Sequence, residues 1–132
     1  MADARSTGGP SRSDNREKGT KGEDLATACL KKEGYRIIER NYRCRYGEID
    51  IIAMDKKDVV FVEVKGRESD TFGSPEEAIG PAKQKKISMV ALHYLQEKGL
   101  DDHSARFDVV TIRFMPQGNQ VQLIRNAFDL SL

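Results

Sequence analysis

A single α/β domain, a mixed β-sheet flanked by α-helices in the order α-β-β-β-α-β-β, is predicted by three features of this sequence. Two stretches carry apolar residues at helical spacing. Five carry the alternation or the β-branched runs of strands. One of the strand patterns, GEIDIIAMDKKDVVFVEVK at 47–65, folds back on itself about a short polar turn. At 132 residues the chain is long enough for one domain with a real core and too short for two.

Taken in order, residues 1–19 hold Ser, Gly, Asp, Arg and Lys with hardly any apolar side chain, and are expected to be a disordered tail ahead of a domain at 20–132. Thr20 and Glu23 have the spacing of a capping box, and Gly34 stands where a helix C-terminus wants a positive φ, so a helix is expected over 21–33. Leu25, Cys29 and Leu30 lead its apolar face. YRIIERNYR, from Tyr35 to about Arg45, reads as a half-exposed strand. Two stronger strands follow, Glu48 to Met54 and Val59 to Lys65.

GRESDTFG is a polar loop, and Ser74-Pro75-Glu76-Glu77 is a helix start. Gly80-Pro81 restarts the helix, which runs to about Lys98 with Ile87, Val90, Ala91, Tyr94 and Leu95 inward and Gly99 as its stop. RFDVVTIRF at 106–114 and QVQLIR at 120–125 form a last pair of strands around Pro116-Gln117-Gly118-Asn119.

Composition excludes several classes. Apolar residues make up 38% and charged ones 33%, and no apolar run approaches the ~18 to 20 residues of a membrane span, so no membrane partner is expected. The N-terminus has no apolar signal region, which points to the cytoplasm. Cys29 and Cys44 have no Cys or His at zinc-ligand spacing and are expected to be packed free thiols. The net charge of +1 carries no global case for nucleic acid, so any anion site is local.

The chemistry concentrates in the central hairpin. A loop of Lys56 and Lys57, or of all four residues 55–58, pairs Met54 with Val59 and sets every facing pair to a sum of 113. Asp50 then faces Glu63. Alternation puts Asp50, Ile52, Met54, Val59, Phe61, Glu63 and Lys65 on one face and Ile49, Ile51, Ala53, Val60, Val62 and Val64 on the other. Glu48 shares the Asp50 face. Two facing carboxylates repel by about 4 kcal/mol at an effective dielectric near 20. Lys65, a shared proton or a divalent cation would offset this, and oxygen ligands without His or Cys favour Mg²⁺ or Mn²⁺ over zinc. A plain Asp-Lys-Glu network at a solvated strand end is the alternative. Paired acids with a lysine two residues on are also what metal-assisted phosphodiester cleavage needs.

Ile49-Asp50 and Glu63-Val64-Lys65, with an acidic first helix before them, resemble the PD-(D/E)xK nuclease superfamily. KGEDLA, YGEIDIIA, FVEVKGR and FGSPEEAI, in that order over roughly residues 20–115, resemble the YraN-like family of bacterial predicted endonucleases, similar in core to archaeal Holliday junction resolvases. The resemblance implies a restriction-endonuclease-like core and Mg²⁺-dependent hydrolysis of DNA, at branched or structured sites, with Mn²⁺ as a substitute. It makes Asp50 and Glu63 metal ligands, Lys65 the catalytic lysine and Glu23 a further acidic ligand, although the capping box already employs Glu23. Ile49 replaces the superfamily's proline, which ligates nothing. Gln84, near the start of the second helix, either supports the site or is solvated.

Lys83, Lys85 and Lys86 crowd a helix N-terminus, where the dipole disfavours cations; either phosphate or simple solubility accounts for them. Arg40, Arg43 and Arg45, interleaved with Tyr35, Tyr42 and Tyr46 and joined by Arg67, form a candidate backbone-binding surface for DNA. His93 and His103 read as ordinary packed or solvent-facing residues. One small site cuts one strand, so two-strand cutting requires a homodimer. Phe128, Leu130 and Leu132 would serve as its contact, or pack on their own domain. The rivals are a DNA-binding module of the same fold without turnover, and an interaction protein whose acidic cluster is structural.

Overall fold

The computed structural model describes residues 10–67 and 79–132, with element order α-β-β-β-α-β-β. The elements are α1 (Pro10–Lys32), β1 (Arg36–Cys44), β2 (Gly47–Asp55), β3 (Asp58–Arg67), α2 (Pro81–Glu97), β4 (Ala105–Arg113) and β5 (Gln120–Phe128). The expected helix start at Ser74–Glu77 and most of the preceding loop lie outside the described residues.

Helix α1 begins ten residues before Thr20, with Pro10 in the first-turn position that proline tolerates. Residues 10–19, expected as tail, are therefore helical, and the Thr20–Glu23 capping box is overturned: these residues are in mid-helix, where no amide is orphaned. The buried face also differs, with Ala26 and Leu30 fully inside and Leu25 and Cys29 only half-buried.

The five strands lie in sequence order, β1 to β5, with β3 and β4 parallel and every other neighbour antiparallel. The parallel step is the one joined by α2, because a hairpin turn cannot connect parallel strands. Ala26 and Leu30 of α1 pack with Ile51, Ala53, Val60, Val62, Val110 and Ile112 on one side of the sheet. Ile87, Val90, Ala91 and Tyr94 of α2 pack with Ile49, Ile52, Val59, Phe61 and Val109 on the other. Having both faces covered explains why β2 to β4 are apolar almost throughout. No helix among the described residues is long and apolar enough to cross a membrane.

The end of the sheet at the β2–β3 turn is sealed by charge. Arg106 donates to Asp55 at 2.7 Å, Asp58 at 3.0 Å and the wholly buried Asp108 at 3.1 Å, and Tyr35 Oη donates to Asp108 at 2.7 Å. The C-terminus folds onto its own domain: Phe128 stacks on Phe107 with ring centroids 5.0 Å apart, and Ser131 N–H donates to the buried Ser88 hydroxyl at 2.8 Å. Leu130 and Leu132 stay exposed.

Candidate active site

The hairpin register is the expected one. Asp55 pairs with Asp58, Met54 with Val59 and Ile51 with Val62, leaving Lys56 and Lys57 as the loop, with Lys56 at φ +59°. Beyond Ile51 and Val62 the ladder does not continue, so Asp50 and Glu63 are not the facing pair that the alternation predicts. The strands part there, and each carboxylate takes up a backbone amide of the opposite strand. Val64 N–H donates to Asp50 Oδ2 at 2.8 Å, and Asp50 N–H makes a long bond of 3.4 Å to Glu63 Oε2.

The parting coincides with a reversal of faces. Ile49 packs on the α2 side and Ile51, two residues on, on the α1 side, so the expected placing of Ile49 with Ile51 is overturned. In β1 the same reversal separates Tyr42, in the α2-side core, from Arg40, which reaches the α1 carboxylates. Asn41 between them sits at φ +55°, a conformation Asn adopts more readily than most residues. Such local breaks in pairing re-aim side chains. Here the break lets each of the two carboxylates reach across to a backbone amide of the other strand.

Their surroundings are dry. Glu63 is only 4% exposed, although its neighbour is another acid. Burial, and then the charge of Asp50, pushes its carboxyl up to about 8, with Lys83 opposing. Burial likewise raises Asp50, against the Val64 amide, and the charge of Glu23 adds to the rise. Lys83 forms an ion pair with the site, its Nζ 3.5 Å from Glu63 Oε1. Among the described residues Lys65 forms no ion pair with either acid, so the expected compensation by Lys65 falls to Lys83 instead. Alternation still places Lys65 on Glu63's side of β3, because Val64 packs on the α1 side.

Glu23 reaches the neighbourhood from α1, but its Oε1 accepts from Asn41 at 3.0 Å and Arg40 at 3.3 Å. Among the described residues no three His, Cys, Asp or Glu side chains gather as a metal-ligand set. Gln84 faces away from the acids in its hydrogen bonding: Nε2 donates to the Ile79 carbonyl at 2.7 Å, bracing the entry to α2.

The basic residues separate into different roles. Arg40 is held by Glu23 and Asp24, and Arg43 by Glu48 at 3.0 Å on the surface. Lys85 and Lys86 are exposed on the first turns of α2. Arg67 ends β3, paired with Arg113, and its side chain lies outside the described residues. Tyr35 and Tyr42 are buried, so the interleaved tyrosine surface reduces to Tyr46. Arg45 lies over the Tyr46 ring, 5.0 Å from its centroid, and His93 meets that ring edge-on at 5.8 Å. His93 is thus the ordinary packed histidine that the sequence suggests, half-buried at the edge of Tyr46. Asn41 was missed, and its signal was an Asn amid a β-branched and aromatic strand.

The profile of the uncharacterised protein family UPF0102 matches residues 22–112. A UPF0102 protein of Syntrophus aciditrophicus is 54% identical over 117 residues, covering 89% of this chain and 92% of its own. One from Geobacter sulfurreducens is 49% identical over 118 residues, again covering 89% and 92%. Among solved structures, Pyrococcus furiosus SfsA in complex with Ca²⁺ aligns over 84% of this chain and 62% of its own, at 17% identity and a TM-score of 0.37, too low to carry an argument.

Proposed function

The chain belongs to the uncharacterised protein family UPF0102, and we propose that it is a metal-dependent endonuclease hydrolysing DNA phosphodiester bonds. The observation that carries this reading is the pairing of half-buried Asp50 with buried Glu63 where β2 and β3 part, with Lys83 at 3.5 Å from Glu63 as the ion-pair partner of the two acids among the described residues. A pair of oxygen donors so poorly neutralised fits a hard divalent cation, Mg²⁺ or Mn²⁺. Asp50 and Glu63 would hold it, with Glu23 supplying further negative charge from α1. When bound, such an ion supplies acidity to water and neutralises charge that develops on the phosphate.

The remaining roles fall to the chain's own groups. Lys65, on Glu63's side of the sheet, would position the attacking water and take its proton; Lys83 would leave Glu63 for the phosphate. Gln84 keeps the start of α2, and so Lys83, in place through its bond to Ile79. Arg43, Arg45, Lys85 and Lys86 would meet the DNA backbone. The free thiols Cys29 and Cys44 fit a cytoplasmic protein. Cutting both strands would take a second copy.

With Mn²⁺ or Mg²⁺ the protein is expected to nick branched, flapped or single-stranded DNA. Folded Asp50→Ala and Lys65→Ala variants should lose at least about 100-fold in rate. Undiminished cleavage by both would exclude this mechanism. A second reading, a DNA-binding module of the same fold without turnover, is favoured by the Lys83–Glu63 ion pair and by the lack of a third ligand among the described residues. Salt-sensitive DNA binding with no metal-dependent cleavage would decide for it.

A further inference from the structure

A second feature lies on the α2 side of the molecule. Arg45, Tyr46, Met89, Leu92, His93, Gln96 and Leu132 line an open cavity of about 300 Å³. Next to it the β1–β2 turn meets α2: Gly47, at φ +146°, brings the backbone so close that an added Cβ would stand 3.4 Å from Val90 Cγ2. Tyr46 is held there by the core beneath it and by His93 at its edge. The planar guanidinium of Arg45 lies over the Tyr46 ring, 5.0 Å from its centroid, and donates to its hydroxyl at 2.9 Å, so a flat cation and an aromatic ring, the two groups on which unpaired bases stack, stand together here. Gln96 brings an amide that can both donate and accept, the equipment for an edge of a base. The exposed Met89 adds a polarizable, adaptable wall.

The position of this cavity relative to the acids matters more than its contents. Lys83 touches Glu63, Lys86 is three residues on, Met89 three more and His93 four more, so one face of α2 runs from the acidic pair to the cavity. Ten residues of helix span about 15 Å. At the 3.4 Å rise of a duplex strand that is about four nucleotides, and fewer where the strand is extended. Cations lie at the near end of this track and an aromatic shelf at the far end, the combination that holds single-stranded nucleic acid.

We propose that the Tyr46–His93–Gln96 cavity receives an unstacked nucleobase of a single-stranded segment, a few nucleotides from the phosphate that lies at Asp50 and Glu63. The substrate class is then DNA with an unpaired strand, and a continuous duplex is a poor fit because its bases cannot reach the cavity. This inference rests on the DNA reading above but not on catalysis.

The test is fluorescence anisotropy of the full chain with a labelled short oligothymidylate and a matched blunt duplex, in EDTA at low salt. Tyr46→Ala and, separately, His93→Ala should weaken oligothymidylate binding about tenfold or more. Tyr46→Phe, which keeps the ring, should restore it, and duplex binding should change by less than about twofold. Unchanged oligothymidylate affinity in both alanine variants, or equal losses on the two probes, would overturn the proposal. So would a wild-type protein that does not bind the oligothymidylate. Sedimentation of the same variants adds a further arm: a wild-type dimer that Tyr46→Ala makes monomeric without loss of oligothymidylate affinity would make this face a contact between copies, and the proposal would fall. Tyrosine-dependent binding without any Mn²⁺-dependent cleavage would support the cavity and remove only the nuclease reading.

Discussion

Glu63 holds its proton because water is excluded from it and Asp50 lies beside it, and a carboxyl raised in the native state has a definite effect on stability. Native protein keeps at pH 6 to 7 a proton that the unfolded chain has lost near the ordinary value of 4.5. Stability of the metal-free protein should therefore be fully present below pH 4.5 as far as this group is concerned, and fall as pH rises from there to about 8. Urea midpoints at pH 5 and pH 8.5 measure it: the wild type should be weaker at pH 8.5, and Glu63→Gln should narrow the difference. Added Mn²⁺ should return part of the lost stability at the higher pH, because the ion binds the ionised pair. Lys83 opposes the rise at Glu63, so Lys83→Met should increase the protons released when Mn²⁺ binds near pH 8, where the wild-type carboxyl is about half protonated. Calorimetry in two buffers of different ionisation enthalpy reads that number directly.

Two elements depart from the pattern their residues announce. Helix α1 crosses Gly22 against β3 and β4, where an added Cβ would meet Ile112 Cδ1 at 3.5 Å, Val64 Cγ1 at 3.8 Å and Phe114 Cζ at 3.9 Å, all ordinary contacts. Since a mid-helix glycine is about 0.8–1.0 kcal/mol worse than alanine, Gly22→Ala should stabilise by roughly that amount, and a thermal melt would show it. The reversal in β1 has the opposite sensitivity. Asn41 occupies a positive φ and also donates to Glu23, so Asn41→Ala should destabilise by about 1–2 kcal/mol, mostly through the backbone. Asn41→Gly should recover most of that loss while leaving Glu23 without its amide, which separates the backbone contribution from the carboxylate contribution in denaturant titrations.

In the whole molecule the two ends of the sheet do different work. At the β2–β3 turn, charges are matched: Arg106 serves Asp55, Asp58 and Asp108, and Tyr35 completes the buried set. At the opposite end Asp50 and Glu63 are left poorly matched. Arg106→Met should therefore cost about 3–5 kcal/mol, because it strands the buried Asp108. Where the protein remains folded, Mn²⁺ binding to the acidic pair should stay within about twofold, since Arg106 lies opposite Val60, three residues along β3 from Glu63, and its hydrogen bonds go to Asp55, Asp58, Asp108 and Tyr35 instead of the acidic pair.

The order of elements and the 113 register between Ile51 and Val62 were legible from residue patterns, because alternation, turn chemistry and glycine stops act over a few neighbours. The start of α1 was not, since the tail's composition argued for disorder and the S/T-x-x-E spacing offered a local alternative. Nor could spacing reveal that β1 and β2 reverse faces at Asn41 and Asp50, that Lys83 rather than Lys65 meets Glu63, or that Tyr35 and Tyr42 are core residues. Those outcomes depend on which helix covers each face of the sheet and on where a ladder parts, and these are long-range competitions for burial. By itself the sequence determined which side chains could do chemistry. The tertiary structure decided which of them meet, because only packing removes enough water from Asp50 and Glu63 to leave them in want of a counter-charge.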